Sequence, residues 1–278
     1  MEHGTPRIVD LHAAAAKLTM FYGRKPDTTF RERRGSAEHL GKYRDGMLLM
    51  SKSAGTGHWE THRHDELLYV LDGEMIVDIL EKDGPRTFVV GAGMVGIVPP
   101  SAWHRVRSGD GMSVFSATDP GDHIDLDVPD PRTPERELET PTGPYSVIDL
   151  QAELAKLTMF RRTPQSTPEE RKGSVAQLAT YRDGLLLAIK LSGKDHWERH
   201  PTGDELVYVL DGAATVEMVC DDGPPKSFAL GAGAFAVIPQ GAWHRFLSPD
   251  GFTQLVATPF PGETIALDID DPRSVGRQ

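Results

Sequence analysis

The chain has 278 residues, 38% of them hydrophobic and 26% charged, and none of its apolar runs is long enough to cross a bilayer. A formal charge of -11 leaves no basic surplus to displace counterions, which argues against nucleic acid or an anionic membrane surface as a partner. Cys220 is the only cysteine, so no intrachain disulfide framework exists. With no charged-then-apolar signal layout at the amino terminus, a cytoplasmic location is the expectation.

Taken in chain order, the elements come in two sets. IVDLHAAAAKLTMF (8–21) is answered by VIDLQAELAKLTMF (147–160), each an Ala- and Leu-rich run that Asp10 or Asp149 can cap as a short helix. RERR (31–34) and RR (161–162) are too short for a binding patch and read as solvated faces. SAEHLGKY (36–43) and SVAQLATY (174–181) read as a second helical piece. YRDG then makes a turn in both copies. After it come short apolar runs, MLLMS, ELLYVL, MIVDIL, TFVV and VGIVP, separated by Gly, Pro and Asp at strand-like intervals. YRDGMLLMSKSAG, DELLYVLDG, GAGMVGIVPPSAWHR and DPR all recur in the second half, as YRDGLLLAIKLSG, DELVYVLDG, GAGAFAVIPQGAWHR and DPR. The chain is therefore a tandem duplication. Its expected division is an N-terminal domain over 1–133, a Pro-rich linker over 134–145 and a C-terminal domain over 146–278.

The chemistry concentrates in HWETHRHDE (58–66) and HWERHPTGDE (196–205). On a strand, side chains alternate sides, so His58, Glu60, His62 and His64 share one face, as do His196, Glu198 and His200. Carboxylates and imidazoles converging inside a barrel are costly unless a cation sits among them. Glu66 and Glu205 follow, seven residues before Gly73 and Gly212 on the strand that ends in the LDG turn, and PPSAWH and PQGAWH supply His104 and His244.

These spacings resemble the two motifs of the cupin superfamily. The resemblance implies a mostly β chain of two tandem double-stranded β-helix barrels, related to the jelly roll, each prefaced by a short helical segment. Matched through Glu66-x6-Gly73 and Glu205-x6-Gly212, the implied ligand sets are Glu60, His62, Glu66 and His104, and Glu198, His200, Glu205 and His244. The sequence departs from the family pattern in carrying glutamate at the first position of the HxH pair in both copies. Ser101 replaces a motif glycine, and Ser108 and Ser248 replace the terminal asparagine. HRH at 62–64 is out of register, because it would put Leu68 where the glutamate belongs; His64 is expected in solvent. The alternative set keeps three imidazoles by using His58 or His196, which leaves Glu60 or Glu198 as a general base. A donor set this anionic favours Fe(II) or Mn(II), with Ni(II) or Zn(II) also compatible, and implies two divalent ions per chain.

Trp103 and Trp243, and Arg105 and Arg245 beside the last histidine, are candidate substrate contacts; barrel packing and salt bridges are the competing readings. Cupins carry out many reactions, so the resemblance leaves the chemistry open. The first expectation is an Fe(II) dioxygenase acting on a small oxygenated organic compound, with Glu60 and Glu198 taking a proton or tuning charge. A non-redox metal-dependent isomerase or lyase is the second, and a ligand-binding bicupin without turnover the third. A homodimer is compatible with all three.

Overall fold

The computed structural model of the chain describes residues 4–133, 136, 138 and 143–275. Most of the expected linker, 134–135, 137 and 139–142, lies outside them. In chain order the first copy runs β1 (Arg7–Asp10), α1 (Leu11–Lys17), β2 (Phe21–Arg24), β3 (Ala37–Tyr43), β4 (Gly46–Thr56), β5 (Trp59–His62) and β6 (Glu66–Glu81). It continues through β7 (Gly84–Gly91), β8 (Met94–Val98), β9 (His104–Thr118) and β10 (Gly121–Ile124). The second copy repeats this order as β11 (Ser146–Asp149), α2 (Leu150–Ala155), β12 (Phe160–Arg162), β13 (Val175–Tyr181), β14 (Gly184–Lys194), β15 (Trp197–Arg199) and β16 (Glu205–Met218). It closes with β17 (Lys226–Gly231), β18 (Ala234–Ile238), β19 (His244–Pro259) and β20 (Glu263–Ile265).

Each half is a curled, largely antiparallel sheet around its own core, as the alternation of apolar and polar residues dictates. Val70, Met75, Val77, Ile79, Val90 and Val114 fill the first interior. Val207, Val209, Val216, Met218, Phe246 and Phe252 fill the second. In both, the central pairings join the two longest strands, β6 to β9 and β16 to β19.

The units are not cut at the linker. One comprises Leu11–Gln151; the other joins Ala152 onward to the residues through Asp10. The cause is an exchange of edge strands: β1 pairs antiparallel with β18, Ile8 opposite Ala236, and β11 pairs with β8, Val147 opposite Gly96. The short strand that opens each copy thus completes the sheet of the other.

Two expectations change. SAEHLGKY and SVAQLATY are strands, β3 and β13, hydrogen-bonded to β4 and β14 through the YRDG hairpins. Arg44 and Arg182 take φ of 52° and 54° in those turns; the hairpin partner overrides the weak helical preference of short Ala/Leu segments. LDG, in turn, does not end a strand. β6 and β16 run straight through it, bending at a bulge where Gly73 (φ 79°) and Gly212 (φ 77°) sit. A Cβ on Gly73 would lie 2.1 Å from the carbonyl oxygen of Gly111, so glycine is required for the backbones to approach.

Candidate metal centre

β5, β6 and β9 deliver the first cluster, because Glu60 pairs across the ladder with His104 and Glu66 opens the neighbouring strand. His104 is fully buried, His62 and Glu66 nearly so, and Glu60 is half-buried at the rim. The Nε2 of His104 lies 3.0 Å from Glu66 Oε2 and 4.0 Å from Glu60 Oε1. His104 Nδ1 donates to the Ala102 carbonyl at 3.0 Å, which fixes the ring with Nε2 turned to the cluster. His62 Nε2 stands 3.8 Å from both Glu60 Oε2 and Glu66 Oε2, too far for a hydrogen bond.

The second cluster is the same construction. His244 Nε2 is 3.0 Å from Glu205 Oε2 and 3.9 Å from Glu198 Oε1, and its Nδ1 donates to the Ala242 carbonyl at 3.0 Å. His200 Nε2 lies 3.3 Å from Glu205 Oε1, with Nδ1 on the Pro259 carbonyl at 3.0 Å. One donor atom from each of Glu198, His200, Glu205 and His244 falls within 4.8 Å of the others, and so does one from each of Glu60, His62 and His104.

Both groups suit a divalent cation. Neither ring nitrogen of buried His62 has a hydrogen-bond partner among the described residues, an orphaning that a bound cation would relieve. Without a metal, charge gathers instead on the imidazoles. Burial opposes it, but the Glu66 and Glu60 carboxylates raise the His104 pKa to about 9, and Glu205 and Glu198 raise that of His200 to about 9. Against the same burial, His58 and the cluster histidines hold Glu60 well below the usual carboxylate range.

His58 and His196 stay outside the clusters: His58 Nε2 touches Glu60 Oε2 at 3.1 Å and His196 Nε2 lies 3.4 Å from Glu198 Oε2. They back the rim carboxylates and join the cluster only through them. His64 is not in open solvent, since its Nδ1 lies 3.2 Å from both Asp119 and Asp45.

Arg105 and Arg245 point away from the cavities, as neighbours of an inward histidine on a strand must. Arg105 is bound to Asp78 at 2.8 Å and stacks on Trp59, its centroid distance 5.0 Å; Arg245 is bound to Glu217 at 2.6 Å and stacks on Trp197 at 4.5 Å. Trp103 and Trp243 also lie off the two cavities, Trp243 under Arg199 at 4.8 Å. Arg105, Arg245 and Trp243 line neither of these two cavities, and Trp103 lines a separate cleft that touches His62.

Four arginines from the arms before each barrel do line the cavities. Arg33 and Arg162 belong to the RERR and RR runs expected as solvated faces, but Arg33 is half-buried and Arg162 is buried, because the arms fold over the barrel mouths. Arg24 and Arg33 face a cavity of about 200 Å³ that reaches Glu60, His62 and Glu66. Arg162 and Arg171 face one of about 550 Å³ that reaches Glu198, His200 and Glu205. The signal was available in the repeat, because both arginines recur at the same offset as Glu60 and Glu198.

Two curled antiparallel barrels, each with carboxylates and imidazoles gathered at its mouth, define a tandem metal-binding barrel protein. The cupin domain family matches residues 46–116 and 186–253, half of the chain and once in each copy, and the chain belongs to it. Among solved structures, a mutant of Bacillus subtilis oxalate decarboxylase is 13% identical over 86% of this chain and 74% of its own, with a TM-score of 0.51. A structure concerned with the Mn(II) centres of the same enzyme is 13% identical over 95% and 76%, also at 0.51. A further mutant is 14% identical over 95% and 81%, at 0.52. At such identity the likeness is one of fold. No curated protein of known function matches in sequence.

Proposed function

We propose that the chain is a metal-dependent enzyme of lyase type, acting on a small oxygenated organic compound, with Glu60 and Glu198 moving the proton. The observation that carries this reading is the position of those two carboxylates. Each touches the buried imidazole cluster on one side and opens on a cavity on the other, with a second histidine behind it. Such a carboxylate, kept ionised by the histidines around it, can take a proton from bound substrate and pass it on. Glu60, His62, Glu66 and His104, and their counterparts Glu198, His200, Glu205 and His244, would hold the ions; a divalent cation there acts as a Lewis acid on substrate oxygen. Glu66 and Glu205 neutralise charge, while the Ala102, Ala242 and Pro259 carbonyls orient the rings. Buried walls keep bulk water from the floor of the cavity.

The manganese centres and decarboxylation named for the fold neighbours support a lyase over an oxygenase and Mn(II) over the other candidate ions. Two imidazoles beside carboxylates also suit Fe(II), which keeps dioxygenase chemistry as the second reading. Turnover of a small-acid panel by Mn(II)-loaded protein under anaerobic conditions is expected; turnover that needs iron and consumes O₂ in proportion would establish the dioxygenase instead.

A further inference from the structure

The two cavities are built alike and charged differently. In each, the arm before the barrel lies parallel to β4 or β14, Arg24 opposite Gly55 and Arg162 opposite Gly193. A Cβ on Gly55 would come within 2.3 Å of the Arg24 carbonyl oxygen, and one on Gly193 within 2.4 Å of the Arg162 carbonyl oxygen; glycine allows the arm this close. The second arginine is fixed by its own loop. Thr29 N donates to Glu32 Oε2 at 2.8 Å and Ser36 Oγ to the Arg33 carbonyl at 2.7 Å. The second copy repeats both, Thr167 N to Glu170 Oε2 at 2.7 Å and Ser174 Oγ to the Arg171 carbonyl at 2.8 Å. These contacts fix the backbone from which each arginine projects toward its cavity.

The difference lies at one position. In the C-terminal barrel Asp195 is buried and ion-paired with buried Arg162, which also donates to His196 at 3.0 Å. In the N-terminal barrel the same backbone site, whose N–H bonds Val106 just as Asp195 N–H bonds Phe246, is Gly57. Asp125, which lies 3.8 Å from His58 and 3.7 Å from His123, does not line the cavity. Arg24 therefore has no ion pair among the described residues, and Arg33 has only a stacking contact with Phe30 at 5.5 Å. Burial and the charge of Arg24 push the Arg33 pKa down to about 10, against the opposing pull of Glu60. Two guanidiniums without an ion pair of their own, offset only by the charge of Glu60 across the same small cavity, suit an anion.

We propose that the N-terminal cavity is a binding site for a small carboxylate, gripped by Arg24 and Arg33, and that Asp195 occupies the equivalent grip in the C-terminal cavity, which takes a larger ligand of lower charge. The substrate class assigned to the first barrel deepens the lyase reading and rests on it only for what happens after binding. The position 57/195 then sets which barrel accepts an anion.

Calorimetric titration of the full-length protein with malonate, and with malonamide as its neutral analogue, tests this in both the Mn(II)-loaded and metal-free forms. One malonate per chain is expected, with malonamide bound at least tenfold more weakly. Arg24→Gln and Arg33→Gln should each cost about tenfold in affinity and flatten its salt dependence, and Arg24→Lys should recover part of the loss. Asp195→Asn should add a second malonate per chain, a gain that no misfolded variant would produce. Two equal malonate sites in the unmodified protein, or affinity indifferent to Arg24 and Arg33, would overturn the proposal. Failure to take up metal, with arginine-dependent malonate binding intact, would remove the lyase reading and leave the anion site standing.

Discussion

Glu66 and Glu205 each touch two imidazoles and are buried, so removing their charge should empty the site in which they sit. Glu66→Gln and Glu205→Gln are each expected to lower the metal content of purified protein from about two ions per chain to about one, measured by mass spectrometry, whereas His64→Ala should leave it unchanged. Equal loss from all three would put the motif in the wrong register. A second expectation concerns protons. In the metal-free protein His104 and His200 titrate near 9 in place of 6.5, so their contribution to stability is complete below about pH 6.5 and disappears as pH rises through 9. Glu60 and Glu205 are held below their ordinary 4.5, and their contribution is present above that pH and lost on acidification. Chelated protein should thus resist urea best between about pH 4.5 and 6.5 and weaken steadily toward 9; a midpoint that climbs over that alkaline range would contradict it. The cluster residues were legible in the sequence because strand alternation places every second side chain together and the duplication shows the pattern twice. Arg24 was not, because nothing local says where an arm lies; its pairing with β4 brings it to the cavity, while Arg33, which looked like part of a solvated run, reaches the same cavity from the loop that follows. Arg105 and Arg245 misled for the opposite reason: nearness in sequence to His104 and His244 means opposite faces on a strand.

At the level of the element, β6 shows how one residue type decides a path. A strand of 16 residues cannot curl round a barrel without a break in register, and Gly73 supplies it. Gly73→Ala meets both an unfavourable φ and a backbone oxygen in its way, and should cost about 2 kcal/mol or more in denaturant unfolding, compared with a few tenths at Gly109, where nothing crowds a Cβ. The DG signature was visible before the fold was known, but its role was not. A sequence window cannot tell a hairpin from a bulge, since both ask glycine for the left-handed conformation. β3 teaches the same lesson from the other side. Its residues carry no decisive preference, and the partner strand across the YRDG turn chooses for them.

For the molecule as a whole, ions bound only by the folded state raise its stability, by about 2.7 kcal/mol per site when free metal is about a hundredfold above Kd. Dialysis against a chelator should lower the melting temperature, and Mn(II) should restore it; a melting curve blind to both would argue against resident ions. The expected division at 133–145 followed the repeat, and the repeat is real. What the repeat could not show is where its first strand goes.

That first strand carries a practical consequence. A gene cut between the copies yields two polypeptides, each lacking the border of its own sheet and each trailing a border meant for its sister. Produced separately, they should be sticky, poorly soluble, or paired with themselves by trading arms. Mixed during refolding, they should find one another and rebuild the parent. Moving the four-residue segments at Arg7 and Ser146 onto the opposite halves would, by contrast, give two fragments with nothing left to exchange.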